Sequence, residues 1–293
     1  MLTTIFYHID NFCEMLESAT IETALIGKQK KNRNSYKELS LSEIMTICIY
    51  FHYSGYKTFK DYYTKHVLIH MKSDFRPLVS YNRFVELKAK TALPLALFVK
   101  LCCKNKCTGI AIIDSFALPV CNNRRIHSHK VFHNLAKRGK TSMGWFYGFK
   151  VHFIINHNGE IVDFQITPGN VADNNNELLE KITQDLFGKL IGDKGYIINS
   201  TLFKKLYLKG IHLITKIKKN MKNILMPLVD KLLLRKRGTV ESAIGILKDG
   251  FSIEHTRHRS SINFLSHVCS ALVAYCFKPH KPSIVQLKKL VVA

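Results

Sequence analysis

The sequence contains few acidic residues, few prolines and glycines, and a single tryptophan among its 293 residues. Its 21 Asp and Glu are outnumbered by 44 Lys and Arg, so the formal charge is +23 and an anionic partner is expected. With 7 Pro, 15 Gly and 46% hydrophobic residues, the composition excludes collagenous and disordered chains. The length is typical of two domains, or of one large domain with an appendage.

The eight cysteines include no C-x2-C pair, which is the usual spacing of zinc ligands. We therefore expect buried thiols and surface histidines, with no structural zinc, at the following residues: Cys102, Cys103, Cys107, Cys121, His127, His129 and His133. The first ten residues, MLTTIFYHID, lack the basic and apolar regions of a signal peptide. Reduced thiols and no signal peptide predict a cytoplasmic protein.

The longest uncharged stretch extends from Ser260 to Phe277 and approaches the length of a membrane span. Polar residues follow helical spacing along one side of it: Asn263, Ser266, His267 and Ser270. The opposite side is apolar. This pattern predicts an amphipathic helix docked on the protein, in a C-terminal region over 256–293, and no membrane association.

The first hundred residues follow a helical pattern. Ser40 and Glu43 have the spacing of a capping box, which predicts a helix that ends near Ser54-Gly55. Thr58 and Ser80 are placed to begin two more helices. Region 1–100 therefore resembles a helix-turn-helix DNA-binding module, and a plain helical bundle is the alternative.

After residue 100, short strands alternate with helices. The predicted strands are Ile110–Asp114, 149–155, Ile161–Thr167, Lys189–Gly192 and Ile211–Lys216; the predicted helices lie around Glu177–Leu186, Leu202–Leu208 and Val240–Leu247. A turn at 157–159 makes the second and third strands a hairpin. An antiparallel hairpin beside strands that alternate with helices predicts an α/β domain with a mixed sheet over 101–255.

Three acids lie at the borders of long acid-free, basic tracts. No Asp or Glu occurs over Ser115–Gly159 or Lys194–Val229, and Asp114 and Asp193 precede these tracts at the ends of apolar strands. Glu241 opens a helix after a basic run. Clustered carboxylates repel each other unless divalent cations neutralise them. Two Mg²⁺ ions in such a cluster catalyse phosphoryl transfer, which predicts a metal site in a DNA channel.

The strings IIDS (112–115), IGDKGY (191–196) and RGTVE (237–241), with Lys248 seven positions later, resemble the acidic motifs of bacterial insertion-sequence transposases of the DDE class. The resemblance implies an RNase H-like fold, with Asp114 on the first strand, Asp193 after the fourth and Glu241 on a later helix. It also implies that these acids are catalytic and bind metal. Many relatives have a Tyr, Arg, Glu, Lys signature around the last acid, and Leu234 replaces the Tyr here.

We therefore expect a DNA transposase that cleaves element ends and transfers the strand into target DNA, using two Mg²⁺ ions for which Mn²⁺ can substitute. The expected partner is double-stranded DNA, both terminal inverted repeats and target, bound by a homodimer associated with the bacterial nucleoid. The expected DNA-binding residues are Arg124, Arg125, Lys194, Arg237 and Lys248. The alternatives are an RNase H-like nuclease that does not join strands and a catalytically silent DNA-binding protein.

Other polar and aromatic residues near these motifs have different predicted roles. Asp163, Asp173 and Glu177 are predicted to lie outside the acidic site, Asp173 as a loop or helix-start residue. The aromatic run 145–147 leads into a strand and is predicted to belong to the core, with stacking on an unpaired base as the alternative.

Overall fold

The computed structural model describes residues 1–24, 38–75, 77–217, 220–221, 225–255 and 257–284. Within these ranges, contacts divide the chain into two compact units. The first unit comprises residues 1–103, 249–253 and 258–277, and the second comprises 104–248, 254–257 and 278–284. Each unit is described separately below.

The helices and strands occur in the following order. The helices are α1 (Leu2–Ala24), α2 (Leu41–Tyr50), α3 (Phe59–Tyr62), α4 (Leu68–His70), α5 (Tyr81–Lys88), α6 (Ala92–Phe98), α7 (Asn176–Ile182), α8 (Ser200–Leu208), α9 (Leu228–Arg235), α10 (Gly238–Gly245) and α11 (Ser261–Phe277). The strands are β1 (Ile110–Cys121), β2 (Lys137–Thr141), β3 (Gly144–Asn156), β4 (Ile161–Pro168), β5 (Gly188–Gly192) and β6 (Ile211–Thr215).

The first unit is helical, and its helices begin where the capping residues predict. The Ser40 hydroxyl accepts the Glu43 N–H at 3.1 Å, and the Glu43 carboxylate accepts the Ser40 N–H at 2.6 Å, so the capping box is confirmed. Thr58 and Ser80 cap α3 and α5 in the same way. These bonds satisfy N–H groups that have no partner inside a helix. Whether these helices form a helix-turn-helix module stays a prediction.

Helix α11 differs from the predicted amphipathic helix. Its expected polar stripe is buried, because Ser266, His267 and Ser270 are at most 2% exposed, whereas Ile262 on the expected apolar side is 53% exposed. The Ser266 and Thr91 hydroxyls are 2.8 Å apart, and His267 Nε2 lies 3.1 Å from the Ser252 carbonyl oxygen. Polar groups can be buried here because they have partners inside the first unit.

Helix α11 also groups with the N-terminal helices, packing on α2 and α6, and not with a separate C-terminal region. Hydropathy alone could not separate a buried helix from a docked one, since the polar partners come from distant parts of the chain. Among the described helices, none combines the length and apolarity that a membrane span requires.

The second unit contains a mixed sheet in the order β4-β3-β1-β5-β6, with β2 also paired to β3. Strand β3 pairs antiparallel with β1, β2 and β4, whereas β5 pairs parallel with β1 and β6. This order and these directions are those of an RNase H-like sheet, so the predicted α/β fold with a mixed sheet is confirmed for the second unit. Helices α7 and α8 pack on the sheet through a shared apolar core that includes Ile113, Leu179 and Leu206.

In the second unit, β1 and β3 extend by several residues beyond their predicted ends, and β2 and α9 were not predicted. Strand β1 continues past Asp114 to Cys121, with an irregularity between Pro119 and Cys121, because β3 is long enough to pair with all of it. Strand β2 has the sequence KRGKT, which contains no alternation of apolar residues, and it forms by pairing with the first half of β3. Helix α9 was also missed.

Candidate active site

Asp114 and Asp193 lie side by side because of the parallel pairing of β1 and β5. The last paired residues of the two strands are Ile112 and Ile191. Asp114 lies two positions after Ile112, and Asp193 lies two positions after Ile191. The Asp114 carboxylate accepts the N–H of Ser115 at 2.8 Å. Both acids lie just beyond the end of the β1–β5 pairing, Asp114 within β1 and Asp193 directly after β5, so the parallel register places them next to each other.

The backbone after β5 turns sharply and fixes the Asp193 side chain. Asp193 caps the short helical turn Lys194–Tyr196, and its Oδ1 accepts the Gly195 N–H at 2.7 Å. A Cβ atom on Gly195 would lie 2.9 Å from this same oxygen, so the position needs a glycine to leave the carboxylate where it is.

Glu241 is linked to Asp114 through Arg237, which lies one helical turn earlier. Arg237 Nη1 donates to Asp114 Oδ2 at 2.9 Å, and Arg237 Nη2 donates to Glu241 Oε1. The guanidinium is 20% exposed and therefore bridges the acids in a partly desolvated setting. Paired donors on one planar group suit two carboxylates.

Burial raises the pKa of the Asp114 carboxyl from its ordinary value of 3.8 to about 6. This pKa is the net result: the Ser115 N–H and the Arg237 guanidinium oppose the rise, and the negative charges of Asp193 and Glu241 add to it. The three acids therefore act on one another electrostatically, as carboxylates do when they share a site.

The acids line a cleft of about 660 Å³ together with cationic and aromatic side chains. Lys248 lies in the turn after α10, where its Nζ pairs with Glu254 at 2.6 Å and lies 5.6 Å from the centre of the Phe116 ring. Lys140 and Trp145 from the β2–β3 hairpin line the same cleft. The cleft therefore combines acids at its sheet edge with cations around them.

Asp173 also lines this cleft, although the sequence predicted it to lie outside the acidic site. Its Oδ1 accepts hydrogen bonds from Ser115 Oγ at 2.8 Å and Lys150 Nζ at 3.1 Å. The missed signal was Lys150 on β3, since a buried ammonium requires an acidic partner. Asp163 instead pairs with Lys104, and Glu177 is exposed in the first turn of α7.

The predicted DNA-binding residues fall into two groups. Arg124, Arg125 and Lys194 are exposed, and no acid among the described residues forms an ion pair with them. Arg237 and Lys248 are instead paired with acids at the cleft. To bind a phosphate, each of these two side chains would have to leave its carboxylate partner. Three further lysines of the acid-free tract Lys194–Val229 lie outside the described residues: Lys218, Lys219 and Lys222.

Trp145 does not belong to the core, whereas its two neighbours do. It is 52% exposed, while Phe146 and Tyr147 are each 7% exposed. The Arg138 guanidinium lies 4.9 Å and the Lys140 ammonium 5.6 Å from the Trp145 ring. The core prediction was therefore wrong for Trp145 alone. Strand alternation and the outer position of β2 expose its ring.

No group of three or more His, Cys, Asp or Glu side chains within the described ranges has the arrangement of a metal site. The acids nevertheless have the chemistry that Mg²⁺ and Mn²⁺ prefer, since their donors are carboxylate oxygens. In this structure Arg237 supplies the positive charge between Asp114 and Glu241. All eight cysteines are free thiols.

An RNase H-like sheet with acids clustered in one cleft of a strongly basic chain defines a class of enzymes that transfer phosphoryl groups of nucleic acids. Residues 104–261 match the sequence model of the Transposase DDE domain family, and because the match spans more than half of the chain, the chain belongs to this family. It is an enzyme of DNA transposition that acts on DNA by phosphoryl transfer. Transposases of this class use divalent metal ions.

The other comparisons add little. No curated protein matches the sequence. A crystal structure of the Mos1 mariner paired-end complex with Mn aligns at a TM-score of 0.25 and 10% sequence identity, over 93% of this chain and 88% of that chain. A TM-score this low carries no argument about the chain.

Proposed function

We propose that the chain cleaves DNA at the ends of a mobile element and joins the freed 3′-hydroxyl to target DNA, with Asp114, Asp193 and Glu241 as the catalytic acids. The observation that carries the proposal is their meeting at one cleft from three separate elements, in a chain of charge +23. In cleavage, water attacks a phosphodiester bond and leaves a 3′-hydroxyl and a 5′-phosphate; in joining, that 3′-hydroxyl attacks a phosphodiester bond of the target, which breaks as the new one forms. Both steps are phosphoryl transfers. One site can therefore serve both, without a covalent enzyme intermediate.

The same three acids would hold the divalent ions, two Mg²⁺ with Mn²⁺ able to substitute. The raised pKa of Asp114 supports this assignment, because a buried carboxylate among other carboxylates needs a positive counter-charge. When bound, such ions activate the attacking water or 3′-hydroxyl and stabilise the leaving oxygen.

The chain's own residues orient the acids. The N–H groups of Ser115 and Gly195 hold the Asp114 and Asp193 carboxylates, and Arg237 fixes Asp114 relative to Glu241. Arg237 and Lys248 line or border the cleft and would bind the phosphates next to the cleaved bond after leaving their acidic partners.

Double-stranded DNA, as terminal inverted repeats and as target, would follow the exposed cations around the cleft. Arg124, Arg125 and Lys194 carry charge that no described acid neutralises, which suits contact with phosphates. Trp145, between Arg138 and Lys140, offers a ring on which an unpaired base can stack. A homodimer would hold two element ends together, and DNA binding would place the protein at the bacterial nucleoid.

The test is cleavage of supercoiled plasmid carrying the repeats that flank the gene, with Mg²⁺ or Mn²⁺. Asp193→Asn keeps the size of the side chain but removes its charge, so we expect DNA binding to persist and cleavage to fall to background. Glu177→Gln is the matched control, because Glu177 is an exposed acid of the same unit. Equal cleavage by wild type and Asp193→Asn would refute the assignment.

The two alternatives are outcomes of the same experiment. Cleavage without joined products, on DNA that carries the element ends, would support a nuclease. Binding of that DNA without cleavage by the wild type would support a catalytically silent DNA-binding protein.

A further inference from the structure

Asp173 forms the centre of a group of polar residues beside the catalytic acids. We define the Asp173 cluster as Ser115, Lys150, His152 and Asp173. Asp173 Oδ1 lies 2.8 Å from Ser115 Oγ, 3.1 Å from Lys150 Nζ and 3.7 Å from His152 Nδ1. One carboxylate oxygen therefore faces three side chains from β1 and β3.

The basic members of the Asp173 cluster are buried, so they hold Asp173 firmly. The Lys150 side chain is 9% exposed and that of His152 is fully buried. His152 is directly opposite Ser115 in the β1–β3 pairing, and Lys150 precedes it by two residues on the same face. Lys150 also donates to the Val171 carbonyl at 3.0 Å, which fastens the loop that carries Asp173.

The buried His152 ring faces the Asp173 carboxylate without forming a hydrogen bond to it. His152 Nδ1 is buried without a hydrogen-bond partner in the described residues, while its Nε2 lies 3.0 Å from Thr167 Oγ1. A buried ring nitrogen without a hydrogen bond costs stability. The Asp173 carboxylate is the acidic group that faces this nitrogen.

Asp173 bonds to Ser115 and lies near Gly195, the two residues whose N–H groups orient the catalytic aspartates. Ser115 donates its N–H to Asp114 Oδ1 and its hydroxyl to Asp173. Gly195 donates its N–H to Asp193, and a Cβ on Gly195 would lie 3.3 Å from Asp173 Oδ2. Asp173 thus packs against the Asp193 turn on one side and bonds to the Asp114 strand on the other.

We propose that Asp173 is a positioning residue that fixes the Asp114 and Asp193 carboxylates relative to each other, through Ser115 and Gly195. The inference rests on the proposed function, because it concerns how that site is held in shape. Asp173 itself is paired with Lys150, so it acts through its neighbours. Partners that orient metal-binding side chains are needed for tight metal binding and for activity.

The experiment compares Asp173→Ala, Gly195→Ala and the double variant with wild type. Three quantities are measured: Mn²⁺ binding to the free chain by electron paramagnetic resonance, the Mn²⁺ concentration that gives half-maximal DNA cleavage, and DNA affinity in EDTA. We expect each single variant to weaken Mn²⁺ binding and raise the half-maximal concentration about tenfold or more. DNA affinity in EDTA should change less than about twofold, because no phosphate-binding residue is altered.

The double variant tests whether the two residues act together. The added Cβ of Gly195→Ala displaces Asp193 Oδ1 and presses on Asp173 Oδ2. Without Asp173, the second contact disappears, so we expect the double variant to lose less than the product of the two single losses. Asp185→Ala is the matched control, since Asp185 is an exposed acid of the same unit that pairs with Lys104.

Where Asp173→Ala does not fold, as judged by circular dichroism, Asp173→Asn takes its place, and a smaller shift in the same direction is expected because the amide still accepts from Ser115. Unchanged Mn²⁺ binding and cleavage in the Asp173 variant would overturn the inference, as would losses that multiply independently in the double variant. If the Asp173 variants behave like wild type while Asp193→Asn loses cleavage, the inference fails and the proposed function stands. A wild type that neither cleaves nor binds Mn²⁺ would remove the proposed function as well.

Discussion

Replacing Asp114 with asparagine should make the metal-free protein more stable at neutral pH. The folded carboxyl has a pKa of about 6 against an ordinary 3.8, so the folded state is penalised whenever Asp114 is charged. That difference corresponds to about 3 kcal/mol, an upper value for the gain in unfolding free energy. The side chain is only 17% exposed, so solvent screens little of this penalty.

The sign of this effect depends on pH. As the pH falls from about 6 to about 4, the folded carboxyl takes up its proton before the unfolded one does, so wild type gains stability. The amide introduced by Asp114→Asn would not titrate. The advantage of Asp114→Asn should therefore be largest above pH 7 and vanish below about pH 4.

Urea unfolding in EDTA measures this difference. Trp145 is the single tryptophan of the chain and belongs to the same unit as Asp114, so its fluorescence reports the unfolding of that unit. Glu177→Gln serves as the control, since Glu177 is an exposed acid of the same unit that has no contact with Asp114, and it should change stability by less than about 0.5 kcal/mol. The reasoning would be refuted if Asp114→Asn were no more stable than wild type at pH 7.5, or if its gain in unfolding free energy were the same at pH 4 and pH 8.

Three further predictions concern other parts of the molecule. Burial lowers the pKa of His52 from 6.5 to about 3, so the free energy of unfolding should fall by about 2 kcal/mol between pH 7 and pH 5, as the unfolded chain takes up a proton there. In His52→Asn this fall should be smaller, which urea unfolding at a series of pH values measures. Lys194→Ala should weaken binding to all DNA sequences and reduce the slope of log affinity against log salt by about 0.9, and an unchanged slope would exclude a phosphate contact at Lys194. DNA with an unpaired stretch should quench Trp145 fluorescence in EDTA, and binding without quenching, followed by anisotropy of labelled DNA, would exclude stacking.

The extent to which sequence predicted structure differs between the elements. Apolar runs and capping residues predicted the strands that carry Asp114 and Asp193 and the helices that begin after Ser40, Thr58 and Ser80, because these signals act over a few residues. Strand β2 was missed, since its polar sequence becomes a strand only through pairing with β3. Helix α11 was assigned the wrong environment, because partners such as Thr91 lie far away in the chain.

The site shows the same division. The acids at Asp114, Asp193 and Glu241 could be found because each borders a basic tract in a chain poor in acids. Asp173 could not, since nothing local distinguishes it from a residue that begins a helix, and its partners Lys150 and Ser115 are 23 and 58 positions away.

By itself, the sequence determined the basic charge, the alternation of strands and helices, the order of the three acids and the family resemblance, because all of these are properties of composition and local spacing. Tertiary structure alone decided that Arg237 bridges Asp114 and Glu241, that Trp145 is exposed, and that Asp173 lies beside the acids. These features depend on strand register and on which side chains burial brings together, and both are set by the folded chain as a whole.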